Sequence, residues 1–157
     1  MISQNHSQLD AADIRILTIL AKEGRIPVTE LSNRVGLSKT PCQTRVKRLQ
    51  QAGYILGFRA VLNPAKLGLA HVAFAEVRLN DTREPALQAF NQAARAVPEI
   101  EQIHMIAGAF DYLLKIRSTD IADYRRVLGE VISRLPHVAA TSTHVSMESV
   151  KDEIGQS

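Results

Sequence analysis

Gly36 separates two short segments whose apolar residues have helical spacing, and it limits how this part of the chain can fold. The first segment covers residues 28–35, and the second begins at Ser38, a good N-cap residue, and reaches about Ala52. Because so few residues join the two segments, the chain must turn tightly at Gly36, where a positive φ is expected. The sequence therefore predicts two consecutive helices joined by a tight turn.

The flanking segments extend this unit on both sides. A further helix is predicted over residues 9–22, with Asp10 as its N-cap and an acidic residue three positions later. After the third helix the period changes, and residues 54–62 are predicted to form a short hairpin. We therefore expect a first domain of three helices and a hairpin in residues 1–62, followed by a linker in residues 63–68.

The charge of the chain is unevenly distributed. The net charge is +3, but residues 1–63 hold nine Lys or Arg against four Asp or Glu, and no acidic residue lies between Glu30 and Glu76. A basic segment confined to one part of a chain is typical of a protein that binds a polyanion. On charge alone, a solvated surface would explain the segment equally well.

The third predicted helix has one apolar side and one polar, basic side. Cys42, Val46 and Leu49 recur at helical spacing and form the apolar side. On the other side, small and amide side chains suit the edges of bases, and cations suit phosphates. With the short helix and the glycine turn before it, this is the helix-turn-helix layout of DNA-binding proteins. The residues predicted to contact DNA are Ser38, Lys39, Thr40, Gln43, Thr44, Arg45, Lys47 and Arg48, with Arg59 on the hairpin.

The rest of the chain alternates strand and helix patterns in the order βαββαβ. Strands are predicted at residues 69–79, 100–107, 111–117 and 138–147, and helices at residues 84–97 and 120–135. The inward residues of the last helix are predicted to be Ile121, Tyr124, Leu128, Val131 and Leu135. This order is the ferredoxin-like arrangement. The predicted fold class is α+β: an N-terminal winged helix-turn-helix, then a ferredoxin-like domain in residues 69–157.

The first predicted strand carries apolar residues on both faces. Val72 and Phe74 alternate with a second apolar set at residues 73, 75, 77 and 79. Two short helices can cover only one face of a four-stranded sheet, so we expect a second copy of the chain to bury the other face. The sequence thus predicts a homodimer.

Enzymes and membrane proteins are not indicated. The five histidines lack metal-ligand spacing, no nucleophile–base arrangement is visible, and no glycine-rich phosphate loop occurs, so neither a catalytic nor a metal site is expected. The single cysteine, Cys42, is assigned to the apolar side of the third helix. No apolar run is long enough to span a bilayer, and a cytoplasmic protein is expected.

Several motifs resemble those of one family. Residues 37–42 (LSKTPC), 45–49 (RVKRL) and 53–55 (GYI) resemble the recognition region of the leucine-responsive/asparagine-regulator (Lrp/AsnC) transcription factors. The resemblance continues through residues 62–64 (LNP) and 108–114 (GAFDYLL) to Met147-Glu148, and is strongest to the leucine-responsive members. It implies a C-terminal domain that senses a small effector, usually an amino acid such as leucine, and dimers that assemble into octamers. No other cofactor is implied.

The resemblance also implies an effector site near the turn that holds Gly108 and Asp111. There Asp111 would bind an α-ammonium group, and backbone N–H groups around Gly108 would bind a carboxylate. Asp111 as a turn residue bonded to its own backbone is an equal alternative. The other residues expected at the site are Met105, Ala107, Phe110 and Tyr112, with Thr141, Ser142 and Thr143 on the last strand.

Three positions depart from the family pattern. Pro27 stands where many members have Ser or Thr, Lys39 where Pro is common, and Ala109 where an acidic residue is common. The change at Ala109 could alter the choice of effector. The predicted function is a sequence-specific, nucleoid-associated regulator of amino-acid metabolism genes. The alternative is an architectural DNA-binding protein with little sequence specificity.

Overall fold

The computed structural model describes residues 9–151, which divide between Ala60 and Val61 into two units with separate cores. The outer ends of the two predicted domains, residues 1–8 and 152–157, lie outside the described residues. The stretch predicted as a linker, residues 63–68, falls in the second unit and contains a 3-10 turn at Ala65–Leu67.

The first unit is built from three helices, as predicted: α1 (Ala11–Lys22), α2 (Val28–Val35) and α3 (Lys39–Gln51). Gly36 ends α2 in the left-handed conformation, with φ 75°, so the predicted tight turn is confirmed. The fully buried side chains of this unit's core are those of Ile16, Leu31, Val35, Cys42 and Leu49. They include Cys42 and Leu49, the first and last residues of the apolar side predicted for α3.

The start of α1 is closed by a reciprocal capping box. The Asp10 carboxylate accepts a hydrogen bond from the backbone N–H of Asp13 at 2.9 Å, and the Asp13 carboxylate accepts one from the N–H of Asp10 at 3.2 Å. The cap predicted at Asp10 is therefore confirmed. Ser38 is the N-cap residue of α3, but its side chain makes no capping hydrogen bond.

The hairpin predicted for residues 54–62 is wrong. This segment contains no strand, although Tyr54 and Ile55 at its start pack against the three helices. An isolated two-stranded hairpin is marginally stable at best in water, and the described part of this unit offers no third strand to support one. The segment instead leaves several large apolar side chains exposed, namely those of Leu56, Phe58, Val61 and Leu62.

The second unit has the predicted βαββαβ order. Its elements are β1 (His71–Leu79), α4 (Glu84–Arg95), β2 (Ile100–Met105), β3 (Tyr112–Ser118), α5 (Ile121–Arg126) and β4 (Val138–Val145). The strands form one sheet in the order β2-β3-β1-β4, with every neighbouring pair antiparallel. This is the ferredoxin-like arrangement, which places β1 and β3 at the centre.

The side chains of β1 are divided between the two faces of the sheet as predicted. Ala73, Ala75 and Val77 are fully buried in a core that also contains Phe90 of α4 and Tyr124 of α5. Val72 and Phe74 point to the opposite face, which is more polar than expected. There Phe74 is in register with Lys115 and His144, and Glu101 forms ion pairs with Lys115 and Arg117.

The last helix is less regular than predicted. Asp120 caps it as expected, because its carboxylate accepts a 2.8 Å hydrogen bond from the N–H of Asp123. However, α5 is followed by a π-helical turn at Val127–Val131 and a 3-10 turn at Ile132–Arg134.

This irregularity changes which residues of the last helix point inward. Val127 and Ile132 are fully buried, although neither is in the predicted set. Ile121, predicted to be inward, is 51% exposed. A regular period of 3.6 residues cannot place Val127 and Ile132 on one side, whereas a π turn can, because it spans five residues. Among the described residues, no helix has the length and apolar character needed to cross a membrane.

Candidate DNA-binding surface and effector site

One side of α3 forms an exposed polar surface. Thr40, Gln43, Thr44 and Lys47 line a shallow concave surface together with Val46 and Gln50. Four of the predicted DNA-contact residues are thus brought together. Gln50 is absent from that prediction, although its spacing of three residues from Lys47 and seven from Gln43 would have placed it on the same side.

Arg45 and Arg48 lie on a different side of α3 and contact α1. Arg45 Nη1 is 2.6 Å from Asp10 Oδ2 and 2.9 Å from Asp13 Oδ1, and Arg48 Nη2 is 2.5 Å from Asp13 Oδ2. The capping box of α1 is therefore also an ion-pair cluster that joins α1 to α3. Sequence reasoning assigns both arginines to DNA and misses this cluster. The DNA role of the two residues stays a prediction.

These contacts keep both carboxylates of the cluster ionised. Burial opposes the charged form of Asp13, but hydrogen bonds from Arg45 and Arg48 outweigh it, and the pKa of Asp13 is lowered. The pKa of Asp10 is also lowered, first by the hydrogen bond from the Asp13 backbone and then by the one from Arg45. The same contacts raise the pKa of Arg45. Asp10, Asp13 and Arg45 are therefore charged near neutral pH.

The remaining cations of α3 differ from this pair. Lys39 and Lys47 are exposed, and neither forms an ion pair with any residue between positions 9 and 151. Ser38 is exposed at the N-terminus of α3, where the helix dipole also favours an anion. Arg59 is exposed on the segment that does not form the hairpin. This side of α3 can therefore attract phosphates and present amide and hydroxyl groups to base edges.

In the second unit, Asp111 is tied to the central strand. Its Oδ2 accepts a 2.7 Å hydrogen bond from the backbone N–H of Leu79, and its own N–H donates to the carbonyl of Val77 at 2.9 Å. Its carbonyl also accepts a hydrogen bond from the N–H of Ile106, which closes the turn between β2 and β3. These hydrogen bonds of Asp111 join the turn to β1. The structural role expected from the sequence, as the alternative to effector binding, was a hydrogen bond to its own backbone. No hydrogen bond to Oδ1 occurs within the described residues.

A concave surface lies beside this turn. It is lined by Phe110, Thr141 and Ser142, all predicted effector residues, and also by Glu76, Arg78 and Ala140. The sequence-based set of effector residues does not include Glu76 and Arg78. A charged residue on a strand is normally assigned to the solvated surface, and its closeness to other site residues is evident only once the neighbouring strand is known. Pairing with β4 places Glu76 beside Ser142 and Arg78 beside Ala140.

The charges at this surface match those of a free amino acid. A guanidinium binds a carboxylate through paired hydrogen bonds, and a carboxylate binds an ammonium group. Arg78 and Glu76 supply one of each, and Glu76 Oε1 also lies 3.1 Å from His144 Nε2.

The other predicted effector residues are not among those that line this concave surface. Tyr112 is buried in the core, where its ring packs on that of Phe90 with centroids 4.4 Å apart, so it does not line this surface. The Thr143 hydroxyl lies 2.7 Å from that of Tyr124, towards the core side of β4. Met105, Ala107 and Gly108 are exposed at the turn.

The family models and relatives agree with this architecture. Residues 9–55 match a model described as a winged helix-turn-helix DNA-binding domain, and residues 72–155 match the Lrp/AsnC ligand binding domain.

Curated relatives match over almost their whole length. A proline dehydrogenase transcriptional activator of Rhizobium radiobacter is 64% identical over 150 residues, or 96% of each chain. Another of that name, from Rhodobacter capsulatus, is 57% identical, covering 92% of this chain and 94% of the relative. The leucine-responsive regulatory protein of Escherichia coli K12 is 48% identical, covering 91% and 87%.

Solved structures agree as well. A transcriptional regulator from Neisseria meningitidis, in complex with L-Met, has a TM-score of 0.86 at 30% identity, covering 92% of this chain and 93% of that one. An AsnC family regulator from Agrobacterium tumefaciens has a TM-score of 0.87 at 29% identity, covering 92% and 94%. The expectation drawn from the motifs is confirmed: the chain belongs to the Lrp/AsnC family of DNA-binding transcriptional regulators, with a helix-turn-helix domain and a ligand-binding domain.

Proposed function

We propose that this regulator activates transcription of a proline dehydrogenase gene in response to an amino acid. The observation that carries the proposal is the identity of 64% and 57% to two proteins named for that activity, each matched over more than nine-tenths of this chain. The exposed polar side of α3 supplies the surface for double-stranded DNA.

Proline is the first effector to test. A protein that activates proline dehydrogenase controls an enzyme that consumes proline, so proline is the signal such a gene needs. Arg78 and Glu76 offer partners for the carboxylate and the ammonium of any α-amino acid, and Asp111 lies at the adjacent turn. Leucine, which we expect from the family resemblance, and methionine, which is present in the Neisseria complex, are the rival effectors.

The active form is a homodimer that assembles further, to an octamer or a similar particle, on the DNA in the cytoplasm. Two features support self-association. The helix-free face of the sheet carries the half-buried Phe74 beside the buried Val72, and the end of the first unit exposes Leu56 and Phe58. Apolar surface of this kind is typical of contacts between proteins.

A competition assay tests sequence-specific binding. The upstream region of the proline dehydrogenase gene is compared with a scrambled duplex of equal length and composition, across a range of salt concentrations. We expect the upstream region to bind at least a thousandfold more tightly at physiological salt, as specific sites do. Equal affinity with a steep salt dependence would instead identify an architectural DNA-binding protein.

A thermal-shift screen of the twenty amino acids tests the effector. A ligand at a hundred times its Kd stabilises the folded state by about 2.7 kcal/mol, so a selective ligand stands out. We expect proline to raise the melting temperature and to change the binding of the upstream region. A shift produced by leucine or methionine but not by proline would overturn the choice of proline.

A further inference from the structure

The positive charge of α3 is partly neutralised inside the first unit. Arg45 and Arg48 face two carboxylates, those of Asp10 and Asp13, at distances of 2.5 to 2.9 Å. Two guanidinium groups and two carboxylates carry no net charge. The cluster therefore adds little to the attraction of DNA, and Lys39 and Lys47 remain as the cations of α3 without an ion pair in the described chain.

Arg45 cannot leave this cluster without a large cost. The side chain of Asp13 is only 1% exposed, and that of Arg45 is 29% exposed. If Arg45 swung out to a phosphate, Asp13 Oδ1 would lose its ion pair in a site that water scarcely reaches. Breaking one partner away from a buried ion pair is strongly unfavourable. Arg48 has more freedom, since its side chain is 53% exposed and one of its nitrogens holds Asp13.

Arg45 lies on the opposite side of the helix from Gln43 and Lys47 of the DNA-facing surface. Successive residues of an α-helix are rotated by about 100°, so Gln43 and Lys47, two residues before and after Arg45, lie about 160° from it around the axis. A bond that holds Arg45 against α1 therefore fixes the direction in which Gln43 and Lys47 point.

We propose that Arg45 is a positioning residue of DNA recognition and not a phosphate contact. With Asp13 it locks the rotation of α3 about its own axis and so sets which base edges the polar side of α3 meets. Phosphate contacts supply most of the non-specific affinity, while base contacts supply the sequence preference. Loss of the Arg45–Asp13 bond should then lower specific affinity much more than non-specific affinity. The inference depends on DNA binding by α3, and not on the target gene or the effector.

The test compares Arg45→Met with Lys47→Met as a matched control. The full-length protein first selects a preferred duplex from a random pool, so failure of the proline dehydrogenase proposal would not affect the outcome. The Kd for this duplex and for a scrambled one is then measured across salt concentrations. We expect Lys47→Met to reduce the slope of log affinity against log salt by about 0.9, as one phosphate contact does. We expect Arg45→Met to leave the slope unchanged while the ratio of specific to non-specific affinity falls about tenfold or more.

A second variant, Arg45→Lys, keeps the positive charge and so keeps the proposal testable if Arg45→Met fails to fold. Lysine can still meet a phosphate, but its single nitrogen replaces a planar guanidinium and holds the two carboxylates less rigidly. We expect it to lose specificity, whereas a phosphate contact would survive the change. In addition, Asp13→Asn should lower specificity, and adding Arg45→Met to it should cause no further loss. A reduced salt slope in Arg45→Met, unchanged specificity in Arg45→Lys, or additive losses in the double variant would each overturn the proposal.

Discussion

Asp111 has a structural role in the turn and a proposed role in effector binding, and substitution can separate the two. Its Oδ2 accepts the 2.7 Å hydrogen bond from the N–H of Leu79, a residue that is only 9% exposed. Asp111→Ala removes this acceptor and the negative charge together. Asp111→Asn removes the charge alone, because an amide oxygen can still accept the same hydrogen bond.

The structural role sets the size of the expected effect. A buried N–H that loses its acceptor costs about 1–3 kcal/mol. In a unit of this size each 1 kcal/mol lowers the melting temperature by about 4–8 °C. Asp111→Ala should therefore melt about 4–24 °C below the wild-type protein, and Asp111→Asn within about 2 °C of it if the hydrogen bond is kept.

The effector role is read from the ligand-induced rise in the melting temperature. Differential scanning calorimetry of the wild-type protein and both variants, with and without proline, follows the ligand-binding unit. If Asp111 binds the ammonium group, Asp111→Asn should lose most of the rise while keeping its own stability. DNA binding without effector should remain, since the polar side of α3 is unchanged.

Two results would refute this reasoning. A full ligand-induced rise in Asp111→Asn would show that the charge does not bind the effector, and the ammonium partner would then have to be sought at Glu76. A wild-type melting temperature in Asp111→Ala would show that the bond to Leu79 does not stabilise the turn.

Three further predictions concern stability. Because the folded pKa values of Asp10 and Asp13 lie below the ordinary 3.8, their stabilisation is complete above about pH 5. It is lost progressively as the pH falls through 3.8 and then through the lower folded values. Unfolding followed by circular dichroism at acidic pH should therefore show a weaker pH dependence of stability in Asp13→Asn. Gly36→Ala should lower the free energy of unfolding by about 1–2 kcal/mol, read from the urea midpoint. The residue has φ 75°, and none of the described residues has an atom within 4 Å of an added Cβ that could offset the strain. An unchanged midpoint would contradict a strained turn. Phe90→Ala should lower the free energy of unfolding, measured by calorimetry, by about 3–5 kcal/mol, since the ring is fully buried against Tyr112. A loss under about 1 kcal/mol would mean that the core closes around the cavity.

Helices and their caps could be predicted from the sequence where the residues that determine them are neighbours in the chain. The bounds of α2 agree with the prediction, because its apolar spacing and Gly36 are adjacent in the chain. The cap at Asp10 was predictable for the same reason. The hairpin at residues 54–62 failed because alternating apolar residues indicate a strand without supplying a partner for it.

The exposed polar side of α3 was predictable, since helical spacing alone assigns Gln43 and Lys47 to one side. The ion pairs of Arg45 were not, because Asp13 lies 32 residues away and only the packing of α1 on α3 brings them together. The same limit applies to Glu76 and Arg78. Their closeness to Ser142 depends on the pairing of β1 with β4, which no local pattern encodes.

The π-helical turn at Val127–Val131 means that the chain has one residue more here than a regular helix would need. Val127 and Ile132, both fully buried, are five residues apart, and an α-helix brings residues three or four apart onto one side. Removal of one residue between them, such as the exposed Gly129, would leave four and restore the ordinary winding. Homologous chains can therefore differ in length by one residue at this point while Ile132, Leu135 and β4 keep their places.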